Sequence, residues 1–252
     1  MAIDYQRKIT HQGYGKAEIG LQKYYHKVAK NIYGYHFFTF TKEEILKDNY
    51  YDLDDKYFKK GTTSKVAPLY AGGISLIMVI GFFITLDEKT GWFPIMIFII
   101  SLISTIFFAI YYFTMPKKEY ILSRKDGLIT FPGFYWQPNI TMRFDDAIFA
   151  YSTGGDNTIG AFNLQTIRPT KGYTFCLFVI GGADCYEDMS FITWFMDKNR
   201  PLPPGDAFDP YRQQDFERRK AAGFPKPLYF SKVPTPEATP EQQAERKRIG
   251  GW

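Results

Sequence analysis

Residues 66–86 read VAPLYAGGISLIMVIGFFITL and residues 92–115 read WFPIMIFIISLISTIFFAIYYFTM, two runs of 21 and 24 residues without a single charge. A helix needs about 20 apolar residues to cross a hydrocarbon core of about 30 Å. A core helix of that length in a water-soluble protein keeps a polar stripe along one face, and neither run has one. Only Asp87, Glu88, Lys89, Thr90 and Gly91 separate them, which forces an antiparallel hairpin. Tyr70, Trp92, Tyr111 and Tyr112 fall near the ends, where amphipathic rings favour the headgroup layer. Gly72, Gly73 and Gly81 on the first helix are small enough for close helix packing, with Ser101 and Ser104 as neighbours on the second. Pro68 and Pro94 stand in first turns, where a missing N–H costs little.

The flanking charges orient the hairpin. Lys56, Lys59, Lys60 and Lys65 precede the first run; Lys117, Lys118, Arg124 and Lys125 follow the second; the short loop sets one Lys against two acids. The positive-inside rule then places both termini in the cytoplasm. The first 65 residues hold no apolar stretch of the signal-peptide kind, so residue 66 opens the first span. Lys59, Lys60, Lys65, Lys117 and Lys118 are expected at the membrane surface, where each is worth about 1 kcal/mol against an acidic leaflet. Topology determination alone requires the same charges, and it is the favoured reading of them.

Residues 1–65 hold 12 basic and 8 acidic side chains. They are crowded with aromatics, among them Tyr24, Tyr25, Tyr33, Tyr35, Phe37, Phe38, Phe40, Tyr50, Tyr51, Tyr57 and Phe58. A segment this aromatic is no solvated tail; it is expected to pack on the C-terminal domain, with the headgroup surface as the alternative. Residues 33–40 read as extended, and Thr41 with Glu44 reads as a capping box.

After the hairpin, residues 117–199 read as an antiparallel β-domain. Strands are expected at 119–123 and 128–131, joined by Arg124-Lys125-Asp126-Gly127, because Asp-Gly between apolar runs is a strong hairpin signal. Residues 140–151 form the next, with a bulge or break at Asp145-Asp146. Two more follow at 159–167 and 173–180, with turns at 153–157 and 168–172. Residues 184–199 carry Tyr186, Met189, Ile192, Thr193, Phe195 and Met196 at helical spacing. Strands followed by a helix match, in order of elements, a pleckstrin-homology-like partly open barrel capped by that helix. Residues 200–252 form a Pro-rich tail: a helix from Asp209-Pro210 to Ala222, then an extended, mobile stretch from Phe224 onward. The fold class is thus membrane α plus β, in segments 1–65, 66–115, 117–199 and 200–252.

Composition narrows the function. Aromatics at 19% exclude a disordered chain. Two cysteines, Cys176 and Cys185, cannot build a disulfide framework or a four-thiolate zinc site, and in the cytoplasm they stay reduced, buried and inert. His11, His26 and His36 exhaust the histidines, with no carboxylate at metal-ligand spacing. Asp145 and Asp146, adjacent on a strand, point to opposite faces and do not converge as an acid–base pair. Gly154-Gly155 and Gly181-Gly182 lack the strand–helix context of a phosphate loop and read as turns. Neither apolar run carries an ionisable residue, so a channel, pump or transporter is disfavoured. A net charge of +5 is too mild for a nucleic-acid partner. The expectation is a non-enzyme without cofactor or metal, with the lipid bilayer as one partner.

Three stretches carry a resemblance: Leu202-Pro203-Pro204-Gly205-Asp206, Asp209-Pro210-Tyr211-Arg212, and Gly223-Phe224-Pro225-Lys226-Pro227-Leu228. With the hairpin and the β-domain, the chain resembles the membrane-anchored immunity proteins encoded beside toxins of the bacterial type VI secretion system. The resemblance implies a multi-pass inner-membrane protein that neutralises a cognate, membrane-targeting toxin by binding it. It carries over no catalytic residue. The aromatic N-terminal segment and the 173–180 strand are the expected contact surfaces, because large aromatics anchor tight interfaces. The competing expectation is a membrane-anchored adaptor whose pleckstrin-like domain binds a peptide or a lipid.

Overall fold

The computed structural model describes residues 5–21, 26–34, 39–43, 51–62, 65–87, 90–153, 162–169 and 175–252. The chain forms two compact units. Met1–Gly61, Glu119–Pro132 and Asn139–Trp252 make the first; Thr62–Lys118 and Gly133–Pro138 make the second.

The first unit opens with a short helix, α1 (Lys16–Leu21), and is built on two antiparallel sheets. One runs β2 (Tyr51–Leu53), β3 (Tyr57–Lys60), β4 (Tyr120–Ser123), β5 (Leu128–Phe131), β6 (Ile140–Arg143). The other runs β1 (His26–Val28), β7 (Phe149–Thr153), β8 (Phe162–Ile167), β9 (Phe175–Leu177). Strands β3 and β4 are direct neighbours, with Lys60 opposite Tyr120. The whole apolar hairpin is therefore an insertion between two paired positions of one sheet. The expected 140–151 strand is two strands in different sheets. The break falls at 144–147, where the Asp146 and Ala147 amides turn back onto the Arg143 carbonyl (both 3.2 Å). Phe144 and Ala147 are buried there while Asp145 and Asp146 face solvent.

Helix α4 (Cys185–Met196) closes the core, with ten of its twelve residues buried. It touches β1, β4 and β8, and so both sheets. Its start is set by Asp184, whose carboxylate accepts from the Tyr186 and Glu187 amides at 2.7 and 2.9 Å. One turn on, Asp188 gathers the amides of Ile180, Gly181 and Gly182 at 2.8–3.1 Å. Gly182 is obligatory in that turn, since a Cβ there would stand 2.9 Å from the Asp188 nitrogen.

The aromatic N-terminal segment packs inward where it is described. Phe40 meets Phe58 and Phe191 at ring distances of 5.1 and 5.0 Å, and the Tyr51 hydroxyl donates to the Ile180 carbonyl at 2.7 Å. Tyr57 and Phe58 are buried too. These rings serve the core, not a docking surface. The 33–40 segment and the Thr41 capping box lie partly outside the described residues, as do the turns at 153–157 and 168–172 and part of the 173–180 strand.

The tail departs from expectation. After the 3-10 turn Asp206–Phe208 and helix α5 (Asp209–Ala221), the chain from Phe224 onward is tied down rather than mobile. Buried Asp197 accepts from Arg200 Nε and from the Leu228 and Tyr229 amides at 3.0–3.2 Å. The Arg200 guanidinium goes on to Thr235 Oγ1 and the Tyr229 carbonyl. A last helix, α6 (Pro240–Gly250), is capped by Thr239 and ends at Gly251 with φ 71°. A carboxylate inside the fold needs donors, and the tail supplies backbone N–H groups. The β-domain therefore shares its core with residues 28–58 before the hairpin and with residues 202–208 after it.

The second unit holds two antiparallel helices, α2 (Val66–Thr85) and α3 (Trp92–Thr114). Both are long and apolar enough to cross a membrane, and only 6% of each apolar window is buried. That separates them from the core helix of a soluble protein, which would be mostly covered. Three of their hydroxyls are satisfied within the helices: Ser75 donates to the Ala71 carbonyl at 2.9 Å, Thr105 to Ser101 at 2.8 Å, and Thr114 to Ile110 at 2.6 Å, a pattern suited to an apolar surrounding.

Of the three small residues expected at the helix seam, Gly72 is the one that meets α3. A Cβ on it would lie 3.2 Å from Phe108 Cβ, whereas one on Gly73 or Gly81 meets nothing within 4 Å. Gly72→Leu is expected to part the helices and cost about 1–3 kcal/mol by overpacking. Gly81→Leu should change stability by less than about 1 kcal/mol. Thermal unfolding of the detergent-solubilised variants checks this; equal losses at both positions would refute the seam as drawn.

Candidate functional site

The five lysines expected at a membrane surface are divided between the units and have separate tasks. Lys59 sits 4.8 Å over the Tyr5 ring and 4.0 Å from Glu119. The Lys60 ammonium donates to the Val179 carbonyl; burial lowers its pKa, and Asp188 works against that. In the second unit, Lys65 lies 5.3 Å over the Tyr112 ring and Lys117 is exposed. Lys118 is buried, its ammonium donating to the carbonyls of Gly133 (3.0 Å) and Gln137 (2.5 Å). Lys60 and Lys118 are thus engaged on backbone oxygens instead of being held out toward headgroups.

Each of the three stretches that carried the resemblance contributes residues that hold the fold together. Arg212 is held by Asp209 at 2.8 Å and reaches the carbonyls of Leu202, Pro203 and Gly205 at 2.9–3.1 Å. Gly205, at φ 128°, passes so close to Phe40 that a Cβ would stand 2.9 Å from its carbonyl oxygen. Phe224 is buried, and its carbonyl accepts from Trp252 Nε1 at 2.8 Å.

The first unit does build a positively charged concavity of about 430 Å³, which no single sequence segment announces. Four segments meet there. The β2–β3 turn brings Asp55 and Lys56, held by Asp54 Oδ1, which accepts from the Lys56 and Tyr57 amides at 2.7 and 2.6 Å. The β4–β5 turn brings Arg124 and Lys125, with the Arg124 amide donating to the Lys56 carbonyl at 2.8 Å. The chain leaving α4 adds Lys198 and Asn199, and α5 adds Arg218 and Arg219. Lys56, Lys125 and Lys198 are exposed and have no ion-pair partner among the described residues.

Beneath them lies a buried charge network. Asp215 binds Arg218 at 2.7 Å and Arg219 at 2.8 Å, with Arg124 at 3.4 Å. Glu237 takes both Arg219 nitrogens at 2.6 and 2.7 Å and Arg246 at 3.0 Å. Four guanidinium groups thus share two carboxylates, so the floor is itself net positive. Burial pushes the Asp215 carboxyl up, but Arg124, Arg219 and Arg218 outweigh it and hold the pKa below its ordinary value. Burial raises the Asp55 pKa despite Lys56 beside it. Arg124 Nε has no hydrogen-bond partner among the described residues.

Such a surface suits carboxylates or phosphates, which guanidinium and ammonium groups bind by charge-assisted hydrogen bonds. The two cysteines are buried, and burial pushes the Cys185 thiol up to about 11, which leaves it an unreactive thiol at neutral pH. No group of three or more His, Cys, Asp or Glu side chains able to hold a metal ion occurs among the described residues. Sequence reading missed the concavity because its cations come from positions up to about 160 residues apart, each unremarkable alone. No protein family matches the chain, and no curated protein and no solved structure matches it.

Proposed function

We propose that this is a membrane-anchored binding protein whose hairpin crosses the bilayer and whose folded unit captures a protein partner in the cytoplasm. The observation that carries the reading is the insertion of the apolar hairpin between the paired strands β3 and β4. An anchor placed inside a sheet cannot be shed without opening the domain. It also keeps the binding unit at the bilayer, raising its effective concentration against anything that acts there. The partner implied by the resemblance is a cognate, membrane-targeting secreted toxin, and the site of action is the bacterial inner membrane. Lys56, Lys125 and Lys198 around the concavity fit an acidic patch on that partner, and like charges on non-cognate toxins would be rejected.

The adaptor reading has its own support. Two antiparallel sheets, of five and four strands, followed by helix α4 resemble in order of elements the helix-capped barrels of pleckstrin-like domains, which bind peptides and lipids, although β1 and β2 come from the segment before the hairpin. That likeness is one of architecture, and architecture alone does not assign function.

A competition experiment decides between them. A strain lacking the gene is challenged by siblings that do or do not deploy the toxin encoded nearby. Killing restricted to the toxin-deploying challenge, rescued by the wild-type gene and not by Lys56→Ser/Lys125→Ser/Lys198→Ser, supports immunity through the concavity. Equal survival under both challenges overturns immunity and leaves the adaptor.

A further inference from the structure

The second unit contains a segment that does not belong to the hairpin. Residues Gly133–Pro138, GFYWQP, form the β5–β6 connection, yet they cluster with the two apolar helices. Trp136 lies edge-to-face against Tyr111 (4.7 Å) and Phe107 (5.8 Å), and Tyr135 lies 5.8 Å from Tyr111. Both rings still stand in the open, with Tyr135 50% and Trp136 43% exposed. We propose that this loop is a second, monotopic membrane anchor, seated in the headgroup layer of the lipid bilayer beside the end of α3. The inference rests on the hairpin crossing the membrane.

Three observations point to lipid as the occupant. First, depth: Phe107 is seven residues before Thr114, the end of α3, or about 10 Å along the axis at 1.5 Å per residue. Trp136 therefore covers the last two turns of the helix, which reach from the acyl chains to the boundary with the headgroup layer. Second, polarity: the indole N–H donates to Thr114 Oγ1 at 2.8 Å, at the helix end, while the ring body runs back toward Phe107. The polar edge thus points toward the headgroups and the apolar face toward the acyl chains, the orientation that enriches Trp at membrane interfaces. Third, the loop is built to hold that pose. The buried Lys118 ammonium grips the Gly133 and Gln137 carbonyls. A Cβ at Gly133 would lie 2.1 Å from the Pro138 oxygen. Tyr135 is kept at φ 43°, a left-handed conformation rare for an aromatic residue. A conformation of this kind persists only where its surroundings enforce it.

The test uses tryptophan quenching by lipids brominated along the acyl chain. The full-length protein is reconstituted in phosphatidylethanolamine–phosphatidylglycerol vesicles with and without bromine. Of the other three tryptophans, Trp92 opens α3 at its other end, Trp194 is buried in the first unit with its N–H on the Pro201 carbonyl at 2.8 Å, and the half-buried Trp252, on the Phe224 carbonyl at 2.8 Å, is replaced by Phe in every sample. In Trp92→Phe, quenching is expected to persist; in Trp92→Phe/Trp136→Phe it should fall to the level of unbrominated vesicles. Lys118→Met, which frees the loop, should lose most of the Trp136 quenching while Trp92 stays quenched. If Trp92 is quenched and Trp136 is not, the loop anchor is wrong and the hairpin still spans. If neither is quenched, the membrane reading itself has failed.

Discussion

Asp215→Ala is expected to cost about 3–5 kcal/mol, the penalty for removing one partner of a buried ion pair. That is a large share of the 5–15 kcal/mol that typically holds a domain together. The reason is what the carboxylate leaves behind. Arg124 and Arg219 are each about 1% exposed, and among the described residues Asp215 is the one carboxylate that joins them. Arg219 retains Glu237, but among the described residues Arg124 is left with no ion-pair partner, only the backbone oxygens of Trp194, Phe195 and Arg200 and the Phe195 ring. Denaturant unfolding followed by fluorescence measures the loss, because Trp194 sits where the network meets the end of α4. Arg218→Ala is the internal control. Its side chain is 41% exposed, so its removal should cost less than about 1 kcal/mol. Comparable losses in the two variants would show that the buried network does not hold the tail to the sheets.

The same carboxylate sets an acid limit. Its pKa is lowered in the folded protein, so its contribution is complete above the ordinary carboxyl value of about 3.9 and is lost as pH falls toward the lowered one. Asp215→Asn should remove that part of the acid unfolding while lowering stability at neutral pH.

Much of this fold is legible in the sequence where the signal is local. Two uncharged runs reveal the apolar helices, Asp126-Gly127 marks the β4–β5 turn, and the spacing from Tyr186 to Met196 reveals α4. Asp145-Asp146 marks the place where the chain changes sheets. What the sequence hides is pairing across an insertion. Tyr57–Lys60 pairs with Tyr120–Ser123 over some sixty intervening residues, so β2 and β3 look like part of a separate N-terminal segment. The tail shows a different failure. Its prolines argue for an extended chain, yet Thr239-Pro240-Glu241-Gln242 carries an N-cap, a first-turn proline and a Gln at the third helical position, the full signature of a helix start. Local capping chemistry outweighed proline density. The basic concavity was unreadable for a third reason, since its charges converge only after both sheets and α5 are in place.

Ile77→Asp/Ile103→Asp gives the second large effect, and its sign separates two worlds. Ile77 is 71% exposed near the middle of α2, and Ile103 is 62% exposed at the middle of α3. At 1.5 Å per residue the helices are about 30 and 35 Å long, which matches a hydrocarbon core. If lipid surrounds them, each aspartate lies at the bilayer centre and costs about 2.5–3.5 kcal/mol on insertion scales, so the pair costs about 5–7 kcal/mol. The expected result is a chain that leaves the membrane fraction, measured by ultracentrifugation after carbonate extraction. If water surrounds them, the same changes break up an apolar surface far larger than soluble monomers tolerate, and added acids raise solubility. Wild type would then be the aggregating form and the double variant the well-behaved one. A paired exchange of Ser101→Asp, at a position buried within the hairpin, extends the argument, because burial against α2 penalises it in either medium. Only loss of membrane retention from the two outward positions, with no gain in yield of soluble folded protein, is compatible with helices that lipid covers.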